Sequence, residues 1–158
     1  MKSSYKIGLS FGLTSGVITT LGLLVGLDAG THSQPIVLGG ILTIAVADSL
    51  SDAMGIHLAE ESKDNVLTSH IWESTIATFV TKLSIALTFA VPVVLVPLRT
   101  AILVSVLWGL LLLTMLSVLL ARAQRIAPWK VITEHLLIAL CVVALSYYVG
   151  NWVHNWKE

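Results

Sequence analysis

Five long apolar runs, at roughly 7–27, 36–58, 74–97, 100–121 and 131–152, leave this chain few ways to fold. A helix that crosses a bilayer needs about 20 mostly apolar residues, because each adds about 1.5 Å across a hydrocarbon core about 30 Å thick. Every run reaches that length. Charged residues make up only 11% of the chain, against about 25% in a soluble domain whose surface must face water. They gather in the short stretches between the runs, and the mean hydropathy is +0.89. The predicted architecture is an all-α integral membrane protein. It has five transmembrane helices in one domain over residues 1–158 and no separate soluble part.

Basic residues set the predicted orientation. With the N-terminus cytoplasmic, the inner segments carry Lys2, Lys6, Lys63, Arg122, Arg125 and Lys130, and the outer ones only Arg99 and Lys157. This satisfies the positive-inside rule and places the C-terminus outside. Trp129 and Trp152 flank the fifth run as interfacial anchors, and Trp72 marks the start of the third in the same way. The first run follows Lys2 and Lys6, like a signal peptide, but its length and its Gly and Thr content predict a retained helix. Net charge is zero and no basic run exists, so nucleic acid is not an expected partner. Cys141 lies within the last run, where a small buried apolar residue is expected.

Polar residues inside the runs carry the functional information. Gly8, Gly12, Gly16, Gly22 and Gly26 fall on one side of the first helix together with Ser15 and Thr19. Small residues so spaced admit a second helix closely, and the same face could border a polar path. In the second run Asp48 and Asp52 stand one turn apart, with Ser51, Gly55 and Ala59 on their side. A charged residue at the bilayer centre costs about 2.5–3.5 kcal/mol on the insertion scale, so such acids usually mark an ion path. The competing possibility is a structural pair bonded to Thr14, Ser15 or Thr19. Carboxylate oxygens suit hard or borderline divalent cations such as Mn²⁺ and Fe²⁺. One helix supplies too few ligands, whereas a two-fold homodimer would bring four carboxylates together.

Other polar groups are open to two readings. Met54 and His57 are of ligand type but lie off the carboxylate stripe, and packing or a helix–helix hydrogen bond is the preferred reading for them. Glu60, Glu61 and Asp64 could draw cations to an entrance, although a solvated charge run is the default. Lys82, in the middle of the third run, is expected either to pair with Asp48 or Asp52 or to snorkel outward. Pro92 and Pro97 are expected to bend or end that helix. Pro128-Trp129-Lys130 opens the fifth helix, with Glu134 and His135 at an interface or a cytoplasmic mouth.

The order of these features resembles the vacuolar iron transporter family of iron and manganese exporters. The resemblance rests on Gly12-Leu13-Thr14-Ser15-Gly16-Val17-Ile18-Thr19-Thr20-Leu21-Gly22 in the first helix and Ser51-Asp52-Ala53-Met54-Gly55-Ile56-His57-Leu58 in the second. Ala77-Thr78-Phe79 with its downstream prolines, Pro128-Trp129-Lys130, Glu134 and Ala144-Leu145-Ser146-Tyr147-Tyr148-Val149-Gly150 complete it. It implies a homodimer, a metal path lined by the first two helices, and export of Fe²⁺ or Mn²⁺ in exchange for protons. The family commonly has aspartate where this chain has Ser15, and often methionine at the place of Asp52. Its plant-type members also insert a helical metal-binding domain between the second and third helices, where only about 15 residues stand here.

The expected function is therefore divalent-metal transport, not enzymatic catalysis, with no permanently bound cofactor. Metal would enter near Glu60 and Glu61 and be held by Asp48 and Asp52 of both protomers, with Ser15, Thr14 and Thr19 adding neutral oxygens. Met54 and His57 would serve elsewhere on the path. Chain size and the lack of targeting tails point to a prokaryotic cell membrane. Two alternatives are a non-transporting metal sensor or scaffold and an Asp-x-x-x-Asp lipid phosphotransferase. The latter needs further acids and a basic residue upstream, but positions 12–47 hold only Asp28 and neither Lys nor Arg.

Overall fold

The computed structural model describes residues 3–156, and among them every regular element is an α-helix. These are α1 (Ser3–Thr31), α2 (Gln34–Glu61), α3 (Thr68–Leu95), α4 (Leu98–Gln124) and α5 (Pro128–Asn155). All five are long and apolar enough to cross a membrane. Four extend past the expected run at both ends, and the extension of α2 and α3 leaves only residues 62–67 between them. Lys2 and Lys157, used for the expected orientation, lie outside the described residues.

Proline chemistry explains where α3 stops. Pro92 sits inside the helix and offers no N–H to the carbonyl four residues back, yet the helix continues to Leu95. Val96 is then extended, at φ −134° and ψ 162°, the conformation forced on a residue that precedes proline. Pro97 thus ends α3, two residues before the expected limit, and caps α4. The left-handed residues His32, Asn65 and Arg125 all lie in the connections or at a helix end.

Helix α1 is the hub and touches the other four. Its glycine face meets two different helices. A Cβ on Gly8 would stand 2.6 Å from the Ser74 carbonyl oxygen, and one on Gly12 2.8 Å from that of Thr78, both on α3. Farther along, Gly26 and Gly30 lie against Ser146 and Gly150 of α5, where a Cβ on Gly150 would fall 2.2 Å from the Gly26 carbonyl. At Gly8, Gly12 and Gly150 the backbone opposite leaves no room for a side chain, so close backbone approach accounts for glycine there. Val17, Leu21, Leu24, Phe89, Val93 and Leu113 fill the core between α1, α3 and α4.

The polarity of the molecule runs opposite to that of a soluble protein. Ser4, Ser49, Glu60, Thr78, Lys82 and Ser117 are buried, while Leu103, Leu107, Leu119 and Leu145 are more than half exposed. Water would penalise so much uncovered apolar surface, and lipid would not. Trp72, Trp129 and Trp152 are also exposed. Cys141 differs from expectation. It is exposed on α5, the least enclosed of the five helices.

Candidate functional site

The polar centre forms where α1, α2 and α3 meet. Asp48 stands halfway along α2 and Lys82 halfway along α3, so both are as far from the helix ends as the fold allows. The close α1–α3 contact at Gly12 and Gly16 brings Ser15 to the same level, since Gly16 lies against the backbone of Lys82. The Lys82 side chain is 2% exposed, against 26% for Asp48 and 21% for Asp52. The ammonium therefore lies behind the carboxylates, which form the outer layer.

Lys82 donates to Ser15 Oγ at 2.8 Å and to Asp52 Oδ2. Its Nζ also lies 2.5 Å from Asp48 Oδ2, at ion-pair distance but off the axis of a hydrogen bond. Ser15 in turn donates its hydroxyl proton to Asp52 Oδ2 at 2.6 Å. Three oxygens from two helices thus surround one ammonium, and both carboxylates direct their Oδ2 atoms inward to it. A buried charge is tolerated when it is paired and its donors are used. Here both carboxylates pair the charge, and the hydrogen bonds go to Ser15 and Asp52.

Asp48 opens onto a groove of about 670 Å³ that it lines together with Thr43, Ala47, Ser51, Leu23 and Gly40. A second groove, of about 760 Å³, runs alongside between α1 and α5 and shares Leu23, Leu27 and Ile44 with the first. Between them α1 forms a floor flanked by α2 and α5. The face of α2 beside Asp48 and Asp52 carries Gly39, Thr43, Ala47, Ser51, Gly55 and Ala59, all exposed and each four residues from the next. A Cβ on Gly39 or Gly55 would meet nothing within 4 Å.

Of the residues singled out from sequence, the structure gathers Asp48, Asp52 and Ser15, with Lys82 among them. Thr14 and Thr19 instead bond the carbonyls of Ser10 and Ser15 on their own helix. Thr19 faces the α1–α5 groove. Met54 is 54% exposed on the outside of α2. His57 Nδ1 is 3.0 Å from the Thr75 hydroxyl, and its ring packs edge-on against Trp72. Glu61 and Asp64 are exposed, but Glu60 is buried and not part of a solvated run. It pairs with Lys63 at 2.5 Å and lies 3.3 Å from His70 Nε2. Glu134 is exposed, whereas His135 Nδ1 meets the buried Ser117 hydroxyl at 2.7 Å.

Two interactions had little sequence signal. Ser4 donates to Glu73 at 2.6 Å, and His70 reaches back to Glu60. The first links residues 69 apart in the chain and the second crosses the connection between α2 and α3, and only the i,i+3 pair of Glu60 and Lys63 could be anticipated from spacing. Among the described residues, no group of three or more His, Cys, Asp or Glu side chains converges as a cation cage. One protomer supplies two carboxylates and a hydroxyl.

Together, the described residues form an all-helical protein with five helices long and apolar enough to cross a membrane and a polar centre at their midpoint. No protein-family model matches the chain, and no curated protein matches it either.

Proposed function

We propose that this chain is a divalent-cation transporter that exports Mn²⁺ or Fe²⁺ from the cytoplasm in exchange for protons, as a homodimer. One observation carries the reading. Asp48 and Asp52 lie near the middle of an apolar helix, both partly exposed, and Asp48 lines a groove that opens to the outside of the protomer. Facing lipid, such a groove would leave carboxylates where they are most costly. A second copy meeting it across a two-fold axis would remove them from lipid and double the carboxylate count. The small-residue face of α2 admits a neighbouring helix closely enough for that. Hard oxygen ligands favour Mn²⁺ and Fe²⁺ over softer metals. Protons are the exchanged ion that the motif resemblance to the vacuolar iron transporters implies. The motif resemblance to the vacuolar iron transporters supports the same choice of cargo.

The test is Mn²⁺ uptake into proteoliposomes by the full chain and by Asp48→Asn and Asp52→Asn. We expect saturable uptake that falls at least about tenfold in each variant while dimer size in detergent is unchanged. Wild-type rates in both variants would remove the carboxylates from the path.

A further inference from the structure

The interior side of the same centre is already occupied by a cation, and that cation belongs to the protein. We infer that the Lys82 ammonium is the resident occupant of the Asp48–Asp52 site. An incoming divalent cation must then compete with it for the carboxylates. The inference rests on the cation-site reading above and adds the residue that sets the site's affinity and charge.

Three observations converge on it. First, the lysine is enclosed at the midpoint of α3 with a side-chain exposure of 2%, so it does not snorkel to either surface. Second, its surroundings are those of a small coordinated cation: Ser15 Oγ at 2.8 Å, Asp48 Oδ2 at 2.5 Å and Asp52 Oδ2 in hydrogen-bond contact. Third, each carboxylate turns one oxygen toward it, and no hydrogen bond from a described residue reaches the other oxygen of either. The other faces around Lys82 add no competing charge. On α1 its polar neighbour is Ser15, on α2 its charged neighbours are the two aspartates, and α4 has no ionisable residue between Arg99 and Arg122.

Charge then sets the outcome. Two carboxylates and one ammonium leave the centre with a formal charge of −1, and without Lys82 it would be −2. A positive charge held within ion-pair distance of both acids opposes any second cation. Its hydrogen bonds must also be broken or redirected before Oδ2 can serve as a ligand. Lys82 thus weakens binding, and it supplies the counter-charge that keeps the empty centre tolerable in an apolar interior.

The experiment measures Mn²⁺ binding by calorimetry to the purified full chain in detergent, for wild type, Lys82→Gln and Lys82→Arg. Each protein is first checked for helicity and a single species by gel filtration. We expect Lys82→Gln to bind Mn²⁺ at least about tenfold more tightly than wild type, and Lys82→Arg, which keeps the charge, to bind no more tightly. A folded Lys82→Gln that binds no more tightly than a wild type that does bind would overturn the inference and leave the transport proposal standing. Binding by Lys82→Gln alone would support the inference but contradict transport by wild type, because the lysine would then be a permanent plug. Absence of binding in all three would overturn both. If Lys82→Gln fails to fold, ¹³Cε-lysine NMR of wild type replaces it, with Lys82→Arg assigning the signal. Saturating diamagnetic Zn²⁺ should shift the Lys82 resonance, and an unmoved resonance at saturation would overturn the inference.

Discussion

Ser15 is the smallest member of the polar centre and the one whose role is most local. Its hydroxyl accepts from Lys82 at 2.8 Å and donates to Asp52 at 2.6 Å, so one oxygen joins all three helices. Interhelical hydrogen bonds in membrane proteins are worth about 0.6 kcal/mol on average, and more when a charged partner is involved. Ser15→Ala should therefore lower stability by about 1–2 kcal/mol, measured as an earlier thermal unfolding midpoint in detergent. Ser15→Thr, which keeps the hydroxyl, should lose less. An unchanged midpoint in Ser15→Ala would mean that the lysine and aspartates hold the three helices without it. Removing one partner of a buried ion pair is far more disruptive, at about 3–5 kcal/mol, because the remaining charge is stranded. Lys82→Met should show that larger loss, and Lys82→Met combined with Asp52→Asn should recover part of it. A double variant no more stable than the single one would show that charge balance is not what the pair provides.

At the scale of the element, α1 holds the bundle together by what it lacks. A methyl at Gly12 would meet the Thr78 carbonyl oxygen at 2.8 Å and the Thr81 side chain at 3.0 Å, and a backbone carbonyl cannot swing aside. Overpacking of this kind costs about 1–3 kcal/mol. Gly12→Ala should therefore unfold earlier on heating, while Gly39→Ala on α2, which meets nothing within 4 Å, should not. Equal effects of the two substitutions would refute the α1–α3 approach. Much of this level was readable in advance. Long apolar runs announce helices, glycines four apart announce a close crossing, and Pro128 announces the start of α5. Helix ends were less legible, because polar residues such as Ser4 and Glu60 extend helices past the apolar limit. The sequence leaves Glu60, followed by Glu61 and Asp64, as either a cation entrance or part of a solvated charge run. Only tertiary contact with His70, from the next helix, reveals that it is buried. The choice between pairing and snorkelling for Lys82 likewise depends on where α3 sits relative to α2. One chain's periodicity does not contain that relation. The same holds for Cys141, whose apolar run says nothing about which side of α5 faces outward.

For the whole molecule, the proposed dimer must form on the α2 face, because the carboxylate groove opens there. Ser51 and Gly55 lie on that face, exposed in the protomer. Ser51→Cys in a Cys141→Ala background should give a disulfide-linked dimer on mild oxidation in membranes. Gly55→Leu should weaken the dimer without unfolding the protomer, read by light scattering and circular dichroism. A Gly55→Leu protein that stays fully dimeric, with no Ser51→Cys cross-link, would move the interface elsewhere. The central claim, however, concerns the centre between Asp48, Asp52 and Lys82, and flux tests it most directly. Mn²⁺ uptake into proteoliposomes, recorded together with lumenal pH, should show saturable uptake accompanied by proton movement the other way, and Asp48→Asn should lose both. A well-folded wild-type dimer that moves neither Mn²⁺ nor Fe²⁺ under any imposed pH gradient would contradict the account.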